Sequence, residues 1–455
     1  MKQARGSAHA EPVEASGGVF QHAAGLVVLA LLIALSARAA RGADAPATDV
    51  ILGPDTCERA RGLMPDEFVE AYRRGDYLHR IASYNLDPLA DEPVFRAALE
   101  ANKGRYDLTD DGTIIDKETG KPPDYVYAWP FPTIDPADPK AAMKIVWNYF
   151  YTLYYGGNAH YRADLIWLNR SGIDRAISVD AKTKHYDGQH PRFREPGNPL
   201  ALLTQSIAKV LSPADVSGII SLSWRYRDPD KRDSIWSYLP AMRRVRQVSA
   251  ANRSDGFLGS DMTQDDGAYF DGKVQDFTWK LIGTQDLLVP FDRPSFEEAP
   301  KLERLPSGGW RMLIPARPRL GAQVPGWKGA PWCPTEEVLI RRSAWIVEAV
   351  PKDQYYRFGK LILRFDKDTY MGSYASKYDW GGNLISSFSA INTNIVKAAP
   401  GELWAWAGGA VAVAIDWKRD RATTAGITPG NAVPADSRLP LSPDEFSLQQ
   451  LTTGR

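Results

Sequence analysis

The sequence predicts a mainly β protein: one large antiparallel sheet or open barrel, with few helices. Three observations carry this. Period-two alternation recurs along the chain, most cleanly where Ile220, Leu222, Trp224 and Tyr226 interleave with Ser221, Ser223, Arg225 and Arg227. Turn signals separate such runs, namely Asp187-Gly188, Asp228-Pro229-Asp230, Asp271-Gly272 and Gly381-Gly382-Asn383. The aromatic load is high, with 14 Trp, 20 Tyr and 15 Phe in 455 residues, and such side chains favour pleated surfaces.

In chain order, the first feature is the apolar run 23–37 (AAGLVVLALLIALSA). It is too short for a membrane span. Lys2, Arg5 and His22 precede it, and Ala37-Arg38-Ala39 follows as a small-residue cleavage site. This reads as a secretory signal peptide, residues 1–39, with an uncleaved anchor as the alternative. The segment before the run is long, and Val19 is a candidate later start. No Cys follows the run directly, so a lipid anchor is not expected. The mature protein is therefore expected in the periplasm of a Gram-negative bacterium.

Residues 40–135 read as an N-terminal extension with a short helix near 65–75, opened by Pro65-Asp66 and closed by Gly75. Asp107, Asp111, Gly112, Ile114 and Glu118 have near-calcium-loop spacing, but Thr109 is a poor ligand and no exit helix can follow TGKPPDY. A hairpin turning at Asp111-Gly112 explains the same letters.

Residues 136–418 form the expected β domain. Its one strong helix is 141–155, preceded by Pro139 and stopped by Gly156-Gly157, with Met143, Val146, Trp147, Phe150, Leu153 and Tyr154 on one broad apolar stripe. Further strands are expected near 163–169, 175–180, 234–239, 277–283, 310–314, 344–349, 361–365, 370–374, 384–389 and 411–417. Residues 419–455 read as an extended surface tail.

Formal charge is zero, which excludes a phosphate-neutralising nucleic-acid binder and strong electrostatic membrane adsorption. Removing residues 1–39 takes three of the 55 basic and two of the 55 acidic residues, leaving −1. No phosphate loop, dinucleotide fingerprint, nucleophile elbow or HExxH occurs. The exported part keeps His79, His160, His185 and His190, which lack a metal-ligand spacing. No cofactor, no metal and no catalytic residue is expected. Asp265-Asp266 are adjacent, so on a strand they point apart, against a glycosidase pair. Cys57 and Cys333 are either a long-range disulfide or two buried thiols.

Two segments resemble a known family. Trp236-Ser-Tyr238-Leu-Pro240-Ala-Met-Arg243-Arg244-Val-Arg246, followed by Phe257-Leu-Gly259-Ser260-Asp261-Met-Thr263-Gln-Asp-Asp266, is similar to a signature of LolA-like outer-membrane lipoprotein-sorting proteins. Trp129-Pro-Phe131-Pro132, helix 141–155, Asp276-Phe-Thr-Trp279 and Tyr378-Asp379-Trp-Gly-Gly382 resemble the DUF1329 family, a LolA-like branch of exported proteins. The departure is Gln264-Asp265-Asp266-Gly267, which puts the packing of that loop in doubt. The resemblance spans about residues 60–450. It implies a curved, incomplete antiparallel β-barrel covered by helices, an apolar cavity for acyl chains, and an RND-type exporter as partner.

Physics adds that a sheet which curls without closing needs a cover on its concave face. Met143, Val146, Trp147, Phe150 and Tyr154 on the helix, with Trp224, Trp236, Tyr238 and Trp279 on strands, are the candidate cavity lining; ordinary core packing is the other reading of each. Arg243, Arg244, Arg246 and Asp261 are candidates for a headgroup or partner, or a solvated face. The expected function is a periplasmic carrier for a lipid or other hydrophobic ligand, with transient membrane contact. A scaffold subunit of an export complex and an envelope polymer hydrolase are the alternatives.

Overall fold

The computed structural model describes residues 50–89, 92–249, 253–298, 301–313, 319–397, 405–406, 408–426 and 435–453. The signal-peptide reading and the later start lie outside these residues.

Among the described residues the helices are α1 (Asp66–Arg73), α2 (Pro93–Asn102) and α3 (Ala141–Tyr155), with shorter turns of helix elsewhere. The strands begin with β1 (Ile51–Leu52), β2 (His79–Ala82), β3 (Tyr106–Leu108) and β4 (Ile114–Asp116). A meander follows: β5 (Ala159–Asn169), β6 (Gly172–His185), β7 (Leu202–Ser212), β8 (Ile220–Tyr226), β9 (Ser234–Leu239) and β10 (Arg244–Val248). Then come β11 (Phe277–Asp292), β12 (Lys301–Arg304), β13 (Trp310–Leu313), β14 (Glu337–Pro351), β15 (Lys360–Asp366), β16 (Gly372–Tyr378) and β17 (Leu384–Asn392). The last are β18 (Val396–Lys397), β19 (Ala405–Trp406), β20 (Gly409–Asp416), β21 (Arg421–Gly426) and β22 (Ala435–Ser437).

Eighteen of these strands join one curved sheet that does not close into a barrel. Its main run is β10-β9-β8-β7-β6-β5-β21-β20-β17-β16-β15-β14-β11, antiparallel throughout. Parallel contacts are added where β2 lies along β14 and where Phe291 of β11 meets Asn392 of β17. The mainly β expectation holds.

Cross-strand partners share a face, so the register divides the sheet into two faces. One face carries Trp279, Trp345, Phe365 and Phe388, and these pack with α3 in the main core. We call this the inner face. The other carries Tyr374, Val413 and Ile415, and α1 packs there through Phe68, whose ring lies 4.8 Å from that of Tyr374.

The α3 helix forms where the sequence places it. Twelve of its fifteen residues are buried, so it is a core helix rather than a half-exposed one. Its outward side is sealed by the segment 126–131: the Phe131 N–H donates to Asn148 Oδ1 at 3.1 Å, and Asn148 Nδ2 donates back to Phe131 O at 2.7 Å. Gly157, at φ 74°, ends it in the left-handed region.

Two expectations are corrected and one open alternative is decided. No boundary falls at residue 135, because β2 pairs with β14 and Ile81 shares one core with Leu339 and Leu168. The tail from 419 is not a surface strap, since β21 lies between β20 and β5 inside the sheet. Its polar letters misled because Thr423 and Thr424 are buried by neighbours on both faces. Cys57 and Cys333 are buried free thiols rather than a disulfide. The Cys57 thiol donates to Pro54 O at 3.3 Å, and Cys333 Sγ lies 3.6 Å from His79 Nε2. At 107–118 the hairpin is present: β3 pairs with β4, and the Asp111 carboxylate turns back to accept the Thr113 N–H at 3.1 Å.

Candidate functional site: a recess on the inner face

The inner face has two halves. Under α3 it is filled by aromatic side chains. Over β5–β10 it is floored by small ones and stays half-exposed. One lateral row, read through the register, runs Tyr161, Ala181, Ala208, Ser221, Ser237 and Arg246. The next row toward α3 runs Ala159, Thr183, Ser206, Ser223 and Ile235.

Two walls flank these rows. On one side the Tyr154 ring of α3 lies against that of His185, with centroids 4.9 Å apart and the planes tilted by 37°. Beyond it lies a buried ionic cluster, in which Arg225 Nε donates to Asp233 at 3.0 Å and Arg225 Nη1 to Asp271 at 2.9 Å. Arg253 Nη2 also donates to Asp271, at 2.8 Å. Desolvation pulls the Arg225 pKa down, but Asp233 and Asp271 outweigh it and hold it well above the usual value. On the other side Phe257 and Leu258 lie over Trp167, Ile177, Val179 and Val210. That loop is tied to the sheet by Asp261, whose N–H donates to Thr423 Oγ1 at 2.9 Å and whose carboxylate accepts from Arg421 Nε at 2.9 Å.

Tyr161 closes the row at its β5 end. Its ring is 37% exposed, yet surrounding protein desolvates its hydroxyl and raises its pKa. The half-exposed rows between the Tyr154–His185 wall and the Phe257–Leu258 wall form the recess. Burial likewise pushes His185 down to about 3, with Lys184 adding to the effect. The recess wall is therefore neutral there at ordinary pH.

The candidate lining residues fall into two separate places. Val146, Trp147, Phe150, Tyr154 and Trp279 are buried in the main core with Met143 packed against it. Trp147 Nε1 donates to Gly112 O at 2.8 Å and Trp279 Nε1 to Val274 O at 2.8 Å. Of this group, Tyr154 reaches the recess wall. Trp224, Trp236 and Tyr238 lie on the outer face, beneath Phe446 and Leu451 of the C-terminal segment. Trp224 Nε1 donates to Phe446 O at 2.9 Å. They are not brought together with the α3 stripe, because the alternation in 220–226 is inverted relative to expectation: the serines face inward. Asp261 is buried at 3% and pairs with Arg421, not with Arg243, Arg244 or Arg246. Those three arginines are exposed, at the tip and edge of the β9–β10 hairpin.

Sequence reasoning missed Tyr161, Ala181, Ala208, Ser221 and Ser237. The available signal is the small residues at alternate positions in β7 and β8, Ser206 and Ala208 in one and Ser221 and Ser223 in the other. A separate cavity of about 10 Å³ lies on the outer face beneath α1, lined by Phe68, Tyr72, Glu337 and Tyr374. It has room for about one water molecule and none for an acyl chain. Among the described residues no group of three or more His, Cys, Asp or Glu side chains is arranged to hold a metal. No described helix is long and apolar enough to cross a membrane.

A family model described as a protein of unknown function (DUF1329) matches residues 74–452. No curated protein matches the chain. Among solved structures, a domain described as an outer membrane lipoprotein-sorting protein from Vibrio parahaemolyticus is similar at 14% identity. The match covers 69% of this chain and 100% of that one, with a TM-score of 0.45. A DUF1329 family protein from Desulfovibrio piger has 16% identity, 67% and 97% coverage and a TM-score of 0.42. A LolA superfamily protein from Nitrosomonas europaea has 11% identity, 68% and 98% coverage and a TM-score of 0.38.

Proposed function

The chain belongs to the DUF1329 family, and from that premise we propose that it is an exported, periplasmic binding or carrier protein that holds a lipid or other hydrophobic ligand in the recess over β5–β10. One observation carries the reading. The floor of the recess is made of residues too small to fill it, while the rest of the same face is closed by α3. A concave space lined by apolar side chains with a few placed polar groups is the usual form of a small-molecule site; here the polar part is the floor hydroxyls and the Arg225–Asp233–Asp271 cluster beside one wall. Tyr161, Leu165, Phe257 and Leu258 supply apolar surface around it, each buried square ångström adding about 25 cal/mol of affinity before ordering costs. A non-catalytic role agrees with the serines and alanines of the floor, which offer no acid–base pair. An RND-type exporter as partner rests on the family resemblance and is part of the same proposal.

The test has two steps. Native mass spectrometry of protein taken from its own periplasm is expected to reveal a co-purifying apolar molecule. Delipidated protein is then titrated with a fluorescent acyl probe. Ala208→Trp, which fills the floor from one strand, is expected to lower probe affinity at least tenfold with an unchanged circular dichroism spectrum. Retention of full affinity by that variant overturns the site.

A further inference from the structure

The row that crosses the recess floor does not end on an apolar residue. It ends on Arg246, with Arg244 two residues along the same strand and on the same face. Both are exposed, and neither makes an ion pair or hydrogen bond among the described residues. Arg243 lies at the hairpin tip in the left-handed region, φ 51°. Among the described residues β10 pairs only with β9, so it is an edge strand of the sheet. Unsatisfied arginines are unremarkable on a convex surface. Here two of them stand at the mouth of a recess whose far end is Tyr161.

From this arrangement we propose that the recess takes a phosphate-headed amphiphile, its acyl chain lying along the small-residue floor and its phosphate held by Arg244 and Arg246. The inference rests on the hydrophobic-ligand reading above and specifies its polar end. Length agrees: six strands at ~4.8 Å spacing span about 24 Å from Tyr161 to Arg246. One leaflet of a bilayer core, half of ~30 Å, is about 15 Å thick, so an acyl chain fits with the head at the edge. Charge agrees too, since guanidinium forks hold phosphate oxygens in pairs. The Arg244 and Arg246 side chains leave the strand about 6.8 Å apart, at ~3.4 Å per residue. That suits a phosphate, which accepts from two sides, better than a flat carboxylate.

The experiment measures binding of three ligands with one oleoyl chain: lysophosphatidate, oleate and mono-oleoylglycerol. It compares the delipidated protein with the Arg244→Gln/Arg246→Gln variant, whose exposed positions leave the fold intact. The expected result is lysophosphatidate binding about tenfold tighter than mono-oleoylglycerol, with oleate between them. In the variant this preference should fall to within about twofold, with mono-oleoylglycerol unchanged. Raising salt to 1 M should narrow the preference in the parent protein alone, since exposed charges are then screened within about 3 Å. Equal binding of all three ligands, unaffected by the variant, overturns the headgroup inference and leaves the recess standing. Oleate binding as tightly as lysophosphatidate overturns the commitment to phosphate. Failure of all three to bind overturns the recess itself.

Discussion

The two halves of the inner face share a sheet, a pleat and a register, and differ in side-chain bulk. Over β11, β14, β15 and β17 the face presents Trp279, Trp345, Phe365 and Phe388 to α3. Over β6, β7, β8 and β9 a row of the same face presents Ala181, Ala208, Ser221 and Ser237. Aromatic rings of 150–250 Å² each can fill the layer between a sheet and a helix, and small residues cannot. The difference teaches that one continuous β surface can be core at one end and container at the other. The boundary is drawn where Tyr154 meets His185.

The largest expected effect breaks the packed half. Phe388 is 0% exposed and contacts Tyr269 across 6.0 Å. Phe388→Ala should cost about 3–5 kcal/mol by lost transfer energy and cavity formation, read as a lower urea midpoint at constant slope. A cost under about 1 kcal/mol would mean that this half is no better packed than the other. Nearly as large is the loss of Lys377, whose amine is bonded to the Asp266 carboxylate with side chains 1% and 5% exposed. Lys377→Ala leaves that carboxylate buried and unpaired, which should cost about 3–5 kcal/mol. Lys377→Ala with Asp266→Asn should recover part of it, as a double-mutant cycle will show.

These contrasts also explain what the sequence could reveal. Helix 141–155 and strands 220–226 and 234–239 are legible to the residue, because a broad apolar stripe and clean alternation are local signals. β7 is not legible because its bulky residues do not alternate: Leu202 and Leu203 are adjacent, as are Val210 and Leu211. β21 was missed for a related reason: RATTAG has no bulky residue, yet β20 and β5 on either side bury its centre. The parity of β8 is the sharpest case. Alternation tells which residues share a face, but not which face lies inward. Here the outer face is also covered, by Phe446 and Leu451, so aromatics in β8 and β9 satisfy burial without entering the recess. That cover comes from a segment over 200 residues away in the chain, which no local pattern can indicate.

The boundary itself titrates. Burial holds His185 neutral down to about 3, whereas an unfolded histidine titrates near 6.5. Between those values the unfolded chain binds the extra proton, so stability is present above pH 6.5 and is lost as pH falls toward 3. At pH 5 the loss from this residue is about 2 kcal/mol, at 1.36 kcal/mol per pH interval below 6.5. His185→Gln should flatten the slope of unfolding free energy between pH 6.5 and 4.5. An unchanged slope would place His185 in contact with water, and move the boundary of the open half toward α3.

The smallest expected effect is the most discriminating. Ser221 sits mid-row on the recess floor, half-exposed, between Ala208 and Ser237. If the recess is open space, its hydroxyl is solvated when the site is empty, and Ser221→Ala should change stability by less than about 0.5 kcal/mol. The same substitution makes the floor more apolar, so affinity for an acyl probe should stay level or rise about twofold. In a packed wall the outcome differs, because removing one partner of a buried hydrogen bond costs about 1–3 kcal/mol. A loss of that size at Ser221, measured beside the Phe388→Ala midpoint, would show that the small residues close the face as firmly as the aromatics do.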